Sequence, residues 1–447
     1  MHKIRLKFLT ILNKLLIPIF VRNEMYNFLS LLFILNLIKI KKILPKNKTK
    51  FKAVVLYRTG GIDDLIQSQQ IHNKNILYLS CSREFFKLIF LEIFDLKEKT
   101  KLADFKFLYD KKIFTPSKRN KYKKFLISFI NILKKKFNFD IFLSFNFLYY
   151  SERDLHEACQ KLKIPFVVLF KESIHSEIQK KFFQYTYKKI DEKFNGYKIA
   201  VYSKYAKKLL IESNITNNKK IDVVGCSRLN ESFSYRKVKP KNQIIYYAIQ
   251  DNRGLPTPLF NSFGKAFFRE LKYDSFFNSK LNWKKLHLST IKVLKDFAIL
   301  NPDIQIIIKI KNGEEPNKKE YLNLPNNIQI MSFGTGHRFL KNSKIVIGWN
   351  TTSVLEGIAA NRFILIPYFH KKNLLIKKAE LKLGLKKSCY VNSENDFINK
   401  LNYLIKKNYR KDKIYNNQYS LDYHLGNSDN KAGLRLNKFL KKNLNWN

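Results

Sequence analysis

The chain has 447 residues, of which 45% are hydrophobic and 15% aromatic, so it can fill the cores of two ordinary domains and is no disordered tail. Its 85 Lys and Arg against 35 Asp and Glu give a formal charge of +50, which points to an anionic membrane surface, to compositional drift in which Lys, Ile, Asn and Phe rise together, or to nucleic acid. Nucleic acid ranks last, because Lys far exceeds Arg and is spread along the whole chain, with no zinc-finger spacing and no RNA-recognition signature. Cys81, Cys159, Cys226 and Cys389 share no metal-ligand spacing, nor do the eight His, so the sequence predicts buried thiols in a reducing cytoplasm and no metal.

Residues 1–50 form a basic, apolar extension. Leu6 to Phe20 is apolar but interrupted by Lys7, Asn13 and Lys14. Met25 to Ile38 is an apolar run followed by Lys39, Lys41, Lys42, Lys46, Lys48 and Lys50. A spanning helix needs about 20 apolar residues, so neither run spans. Two readings stay open: an amphipathic pair of helices lying on a membrane surface, or a pair packed on the first domain.

Residues 51–235 read as an N-terminal domain. Ala53 to Tyr57 is a first strand, Thr59-Gly60-Gly61 a tight turn, and Ile62 to Gln70 a helix start. Asp63 and Asp64 sit in its first turn, either as candidates for a general base or as carboxylates complementing the helix dipole. Strands follow at 76–79, 140–145 and 164–170. The last ends on Lys171-Glu172-Ser173, where charged residues at the carboxyl end of a parallel strand are placed for ligands. Glu172 is the first candidate base, Asp64 the second and His175 a further one; a plain surface loop is the alternative. Strands at 198–202 and 221–224 close the domain, and Arg228 after the Gly225 turn is a candidate phosphate ligand.

Residues 236–447 read as a C-terminal domain. A strand at 244–249 leads to a loop carrying Arg253 and Gly254. A helix spans 283–300, with Leu286, Ile291, Leu294, Phe297 and Ala298 near a 3.6-residue period. A strand at 304–310 carries Lys309 at its end, and Gly334 and Gly336 form a short turn further on. The most informative stretch follows. Ile345 to Ile347 is a buried strand; Gly348 opens a turn through Asn350, Thr351, Thr352 and Ser353; an apolar helix bearing Glu356 runs to Ala360; Phe363 to Pro367 is the next strand. This is a βαβ unit whose helix start, with exposed N–H groups and hydroxyls, suits an anion. The alternative is a capping box in which Ser353 caps the helix and Glu356 reaches back to it.

This stretch resembles the C-terminal-domain signature of GT-B glycosyltransferases and their relatives: lipid A disaccharide synthases, Kdo transferases, CDP-glycerol glycerophosphotransferases and capsule polysaccharide biosynthesis proteins. The resemblance implies an α/β chain of two Rossmann-like domains facing a cleft, with an N-terminal helical extension. It implies a donor site in which Asn350, Thr351, Thr352 and Ser353 meet the phosphates and Glu356 the ribose, with Arg228, Arg253, Gly254 and Lys309 nearby. The first strand and loop resemble those of lipopolysaccharide heptosyltransferases, whose Gly-Asp pair is here Asp63-Asp64. Relatives often have Gly near the helix end, where this chain has Ala360-Asn361, and Lys-Pro-His where it has Lys309-Ile310-Lys311.

The expected activity is transfer of a sugar, or a glycerol-phosphate-like group, from a nucleotide-activated or CDP-linked donor to a cell-surface glycan or lipid-linked acceptor. No cofactor is needed beyond that donor. The expected place is the cytoplasm, peripheral to the inner face of the membrane. Alternatives are a sugar-nucleotide epimerase of the same fold and a non-catalytic, membrane-associated subunit of a glycan assembly complex.

Overall fold

A computed structural model describes residues 2–58, 60–70, 73, 75–96, 115–147, 149–172, 174–190, 193–249, 269, 283–311, 316, 318–369, 379–408 and 418–444. The chain divides into two compact units. One comprises Met1–Ser173, Gln184–Arg228 and Lys431–Asn447; the other comprises Ile174–Phe183 and Leu229–Asn430.

The first unit begins with helices α1 (His2–Arg22) and α2 (Tyr26–Asn36) and a short strand β1 (Ile38–Lys39). It continues with β2 (Phe51–Leu56), α3 (Gly61–Gln69), β3 (Ile76–Cys81), α4 (Glu84–Ile93), α5 (Pro116–Phe137), β4 (Ile141–Ser144), α6 (Tyr150–Lys161) and β5 (Phe166–Phe170). After α7 (Glu177–Ile190), which crosses the boundary between the units, come β6 (Lys198–Val201), α8 (Lys204–Glu212) and β7 (Ile221–Val223). Its seven-stranded sheet has the order β1-β3-β2-β4-β5-β6-β7, parallel except for β1. Strands β4 and β5 are buried at every residue, as expected of Val-, Ile- and Phe-rich parallel strands covered on both faces.

Helix α5 shows how sequence sets a boundary. Thr115 accepts a hydrogen bond from the Lys118 amide (3.3 Å), Pro116 starts the helix, and Asn138 ends it in the left-handed conformation. Its buried face of Phe125, Phe129 and Leu133 meets an aromatic cluster in which Phe33 of α2 contacts Phe85, Phe86 and Phe129 at 4.9–5.9 Å between centroids. The inner side of the N-terminal extension is thus part of this unit's core.

The second unit contains α9 (Leu229–Ser234), β8 (Gln243–Tyr247), α10 (Trp283–Leu300), β9 (Gln305–Lys309), β10 (Ile328–Met331), β11 (Ser343–Ile347), α11 (Thr352–Ala359), β12 (Phe363–Pro367), β13 (Tyr390–Val391), α12 (Glu394–Lys406) and α13 (Gln418–Leu425). Its six strands are all parallel, in the order β10-β9-β8-β11-β12-β13. Counted within the unit this is 3-2-1-4-5-6, the doubly wound dinucleotide-binding order. Two Rossmann-like α/β sheets with an N-terminal helical region are the expected GT-B-like architecture. The expected strands at 345–347 and 363–367 and the helix at 283–300 are present, whereas β10 and β13 were not anticipated from the sequence.

The last helix, α14 (Ala432–Leu444), lies in the first unit, although the sequence groups it with residues 236–447. Leu436, Phe439 and Leu440 join the first unit's core, Asn437 donates to the Gln69 side chain (3.0 Å), and Arg435 donates to the Val224 carbonyl (3.1 Å). An apolar stripe at this spacing must be covered, and sequence position does not say by what.

The end of α11 accounts for the unusual Ala360-Asn361. Asn361 has φ +58°, its amide bonds the Ile358 carbonyl (3.0 Å), and the Arg362 amide bonds that of Gly357 (3.0 Å). This is a Schellman ending with Asn in glycine's usual place. Asn361→Val is therefore expected to lower the urea unfolding free energy by about 1–2 kcal/mol, while Asn361→Gly leaves it in place.

Candidate functional site

The second unit's switch point lies between β8 and β11, since the chain leaves β8 toward β9 and β10 and then returns to β8's other side at β11. The carboxyl ends there carry Tyr247 and the Gly348–Ser353 turn. Gly348 keeps the turn close: a Cβ would stand 3.0 Å from the Thr351 methyl and 3.2 Å from Val354, so these neighbours would have to give. At Gly357 a Cβ would meet Ile364 at 3.0 Å and Val346 at 3.1 Å, so this glycine lets α11 lie close on β11 and β12.

The polar turn divides into two groups. Asn350, at φ +48°, uses both ends of its amide on the chain at 379–381: it donates to the Ala379 carbonyl (2.7 Å) and accepts from the Leu381 amide (2.9 Å). Thr351 is the N-cap of α11, accepting from the Ser353 amide (3.3 Å). The cap is therefore Thr351 and not Ser353, and Glu356 lies too far along the helix to complete a capping box with it. Thr352 and Ser353 are half-buried at the first turn. Glu356 is buried, and its charge and the Ser353 hydroxyl act on Tyr247. The Tyr247 phenol is pushed well above its usual range by burial first and Glu356 second, so it stays a donor, to the Gly336 carbonyl at 2.9 Å.

Gly336 is fixed by that contact, since a Cβ there would lie 2.7 Å from the Tyr247 ring. Beside it His337 bonds Glu231 (2.9 Å), which also accepts from Tyr235 (2.7 Å); the His337 hydrogen bond chiefly holds the Glu231 carboxyl down to about 2. Nothing in sequence spacing announces this pair, because its members are more than a hundred residues apart. Lys309 ends β9 in register with Tyr247; it is buried, burial lowers its pKa, and its ammonium donates to the Ile310 carbonyl (2.5 Å). Arg253 and Gly254 lie outside the described residues.

The first unit has its own switch point, between β2 and β4. Its strand ends gather Arg58, Asp64, Lys171, Glu172, Tyr202 and Arg228. Asp64 is buried and accepts from the Arg228 amide (2.8 Å), the Arg228 guanidinium (3.0 Å), Ser227 (3.3 Å) and Tyr202. Tyr202 also accepts from Arg228 (2.7 Å). Asp64 and Arg228, expected in separate roles, form one buried pair. Glu172 is partly exposed and ion-paired with Arg58, whose guanidinium stacks over Tyr149 (5.1 Å). His175 falls in the second unit, its ring edge-on to Phe183 (5.3 Å), so Glu172 and His175 do not share a unit.

Sequence reasoning passed over Arg58 and Tyr202, and placed Lys171 at the strand end without making it a candidate. Gly60, at φ +78°, brings the backbone within reach of the Lys171 ammonium, 3.4 Å from where a Cβ would stand. Burial first, and Arg58 second, push the Lys171 pKa down to about 8, with Glu172 opposing. The available signal was Lys171 itself, at the end of a strand ending in two charged residues.

No family model matches the chain, and no curated protein matches it. Several solved structures have a similar fold. A UDP-GlcNAc 2-epimerase from Neisseria meningitidis bound to UDP-GlcNAc is 12% identical, with TM-score 0.46, over 88% of this chain and 100% of that one. S. aureus MnaA with UDP is 11% identical, with TM-score 0.46, over 88% and 97%. CalG4, the calicheamicin glycosyltransferase, is 11% identical, with TM-score 0.43, over 89% and 99%.

Two outcomes follow from the first unit's cluster. Arg228→Met leaves the buried Asp64 carboxylate without its cation and is expected to cost about 3–5 kcal/mol in urea denaturation. Lys171 has a folded pKa near 8 against an unfolded value near 10.5. Between those values the unfolded chain holds a proton that the folded chain has released, so Lys171 makes stability rise with pH from about 8 to about 10. Urea midpoints measured across that range should show the rise in wild type and a flatter profile in Lys171→Met.

Proposed function

We propose that this chain is an enzyme acting on a nucleotide-activated sugar bound at the switch point of the second unit. One observation carries the reading: a 3-2-1-4-5-6 sheet whose β8–β11 crevice ends in a glycine-opened hydroxyl turn, with a helix start and a buried carboxylate behind it. In this reading the diphosphate lies against the first turn of α11 and the hydroxyls of Thr352 and Ser353. Glu356 accepts from the ribose hydroxyls, and Lys309 adds positive charge. Asn350 and Thr351 hold the turn in place. Helix dipole, N–H groups and lysine together stabilise a departing phosphate without requiring a metal.

For the reaction, epimerisation of the nucleotide sugar makes the fewer demands. It acts on the bound sugar alone, removing and returning a proton, and needs no second substrate. Asp64, saturated by donors, serves as the clamp for Arg228 in this reading. Transfer to a lipid-linked or surface glycan is the second reading. The basic apolar extension favours it, since such an acceptor would be met at the inner face of the cytoplasmic membrane.

Calorimetric titration with CMP-, CDP-, UDP-, GDP- and ADP-linked sugars tests the binding site. One nucleotide family should bind, and Glu356→Gln should weaken it about tenfold to a hundredfold, the worth of a hydrogen bond to a charged group. A folded protein that binds none of them overturns the reading. Incubation in D2O without acceptor then separates the reactions. Ring deuteration marks epimerisation, nucleotide release only when an acceptor is added marks transfer, and binding with neither marks a non-catalytic subunit.

A further inference from the structure

The α1–α2 hairpin buries one side and leaves the other bare. Its inner side carries Ile17, Leu29 and Phe33, all fully buried, and a reciprocal hydrogen-bonded pair between Asn13 and Asn36 (2.9 Å each way). Arg5 reaches the Leu35 carbonyl (3.2 Å), and Phe20 meets Phe28 at 5.8 Å, so the helices run side by side in opposite directions. On the outer side of α1 stand Phe8, Ile11, Leu15 and Ile19, spaced three and four residues apart, one continuous helical stripe. On α2 stand Phe28, Leu31 and Leu35 with the same spacing. Each of these side chains is 49–62% exposed. Single exposed apolar residues are ordinary on a protein surface, but two adjacent stripes of large ones are not.

The charge around the stripes identifies the occupant. Residues 1–50 hold 11 Lys and Arg and a single acid, Glu24. Lys7 and Lys14 flank the α1 stripe and are exposed, as are Lys39, Lys41, Lys42 and Lys46 beyond α2. A second copy of this chain would need an acidic counterface, whereas it would bring its own excess of positive charge. Among the described residues no helix is long and apolar enough to cross a membrane. Apolar stripes with a cationic border on helices too short or too polar to span are the signature of helices that lie in a bilayer interface.

We infer that the outer face of the α1–α2 hairpin inserts in the plane of an anionic phospholipid bilayer, with the two stripes at the acyl boundary and the flanking lysines on lipid phosphates. This deepens the membrane element of the proposed function and is independent of the nucleotide site. It also joins the two readings of residues 1–50: the hairpin packs on the first unit through one side and meets lipid through the other.

The test is co-sedimentation of the full chain with vesicles of phosphatidylcholine alone or mixed with phosphatidylglycerol, at low and high salt. Wild type should pellet with the anionic vesicles, less so at high salt, and poorly with phosphatidylcholine alone. The triple variant Ile11→Asn, Leu15→Asn, Leu31→Asn should lose about tenfold or more in vesicle affinity. Its urea midpoint and nucleotide-sugar titration should match wild type, because the three side chains are exposed. Lys41→Glu with Lys42→Glu gives a second variant with the apolar stripe intact and should weaken binding to anionic vesicles only. Pelleting of the triple variant equal to wild type overturns the inference. So does a lipid-free dimer, seen by analytical ultracentrifugation, that the triple variant abolishes while wild type ignores vesicles. Neither result touches the nucleotide proposal, which stands or falls on the titration.

Discussion

The central strands of both sheets, β4, β5, β8, β11 and β12, are buried at every residue, and that burial constrains everything else. A backbone carbonyl or amide has no exit through a covered face, and a polar side chain placed there would need a partner. Polar chemistry is left with the strand ends. In each unit it collects at the carboxyl ends, where the strand order reverses and neighbouring crossovers part. Tyr247, the Gly348 turn and Glu356 sit there in the second unit, and Arg58, Lys171 and Arg228 in the first.

Glycines set how near the helices come. Gly357 allows α11 to rest on Val346 and Ile364, and Gly61 allows α3 to pass Phe145, where a Cβ would lie 2.3 Å from the ring. The helix starts are held at the strand ends by these close approaches. The same economy governs charge. Asp64 is buried, and its ties to Arg228, Tyr202 and Ser227 join the start of α3 to the ends of β6 and β7. A carboxylate so engaged holds geometry.

The N-terminal hairpin follows the opposite logic. Its inner face obeys the burial rule through the Phe33 cluster, and its outer face breaks it with two apolar stripes. A folded protein tolerates such a violation where another phase covers it. In the inferred membrane contact the lysine border would meet lipid phosphate.

Much of this was legible in the sequence, because strands buried on both faces write themselves as apolar runs. Ile345 to Ile347, Phe363 to Pro367 and Phe166 to Phe170 could be read directly; alternation with helical periods gave a βαβ unit, and the two Rossmann-like halves came from the resemblance to GT-B enzymes. The polar turn at 348–353 was legible for the same reason, as an interruption between such runs. What the sequence could not state was anything that depends on which distant groups meet. It could not show that Asn350 is spent on residues 379–381, or that Thr351 is the cap. It could not show that Asp64 and Arg228 are one pair, that Lys171 is pressed by Arg58, or that the final helix returns to the first unit. Periodicity and local propensity act over a few neighbouring residues and so are written in the chain. Partner choice, burial and pKa are set by contacts between segments far apart in sequence, and only tertiary structure decides them.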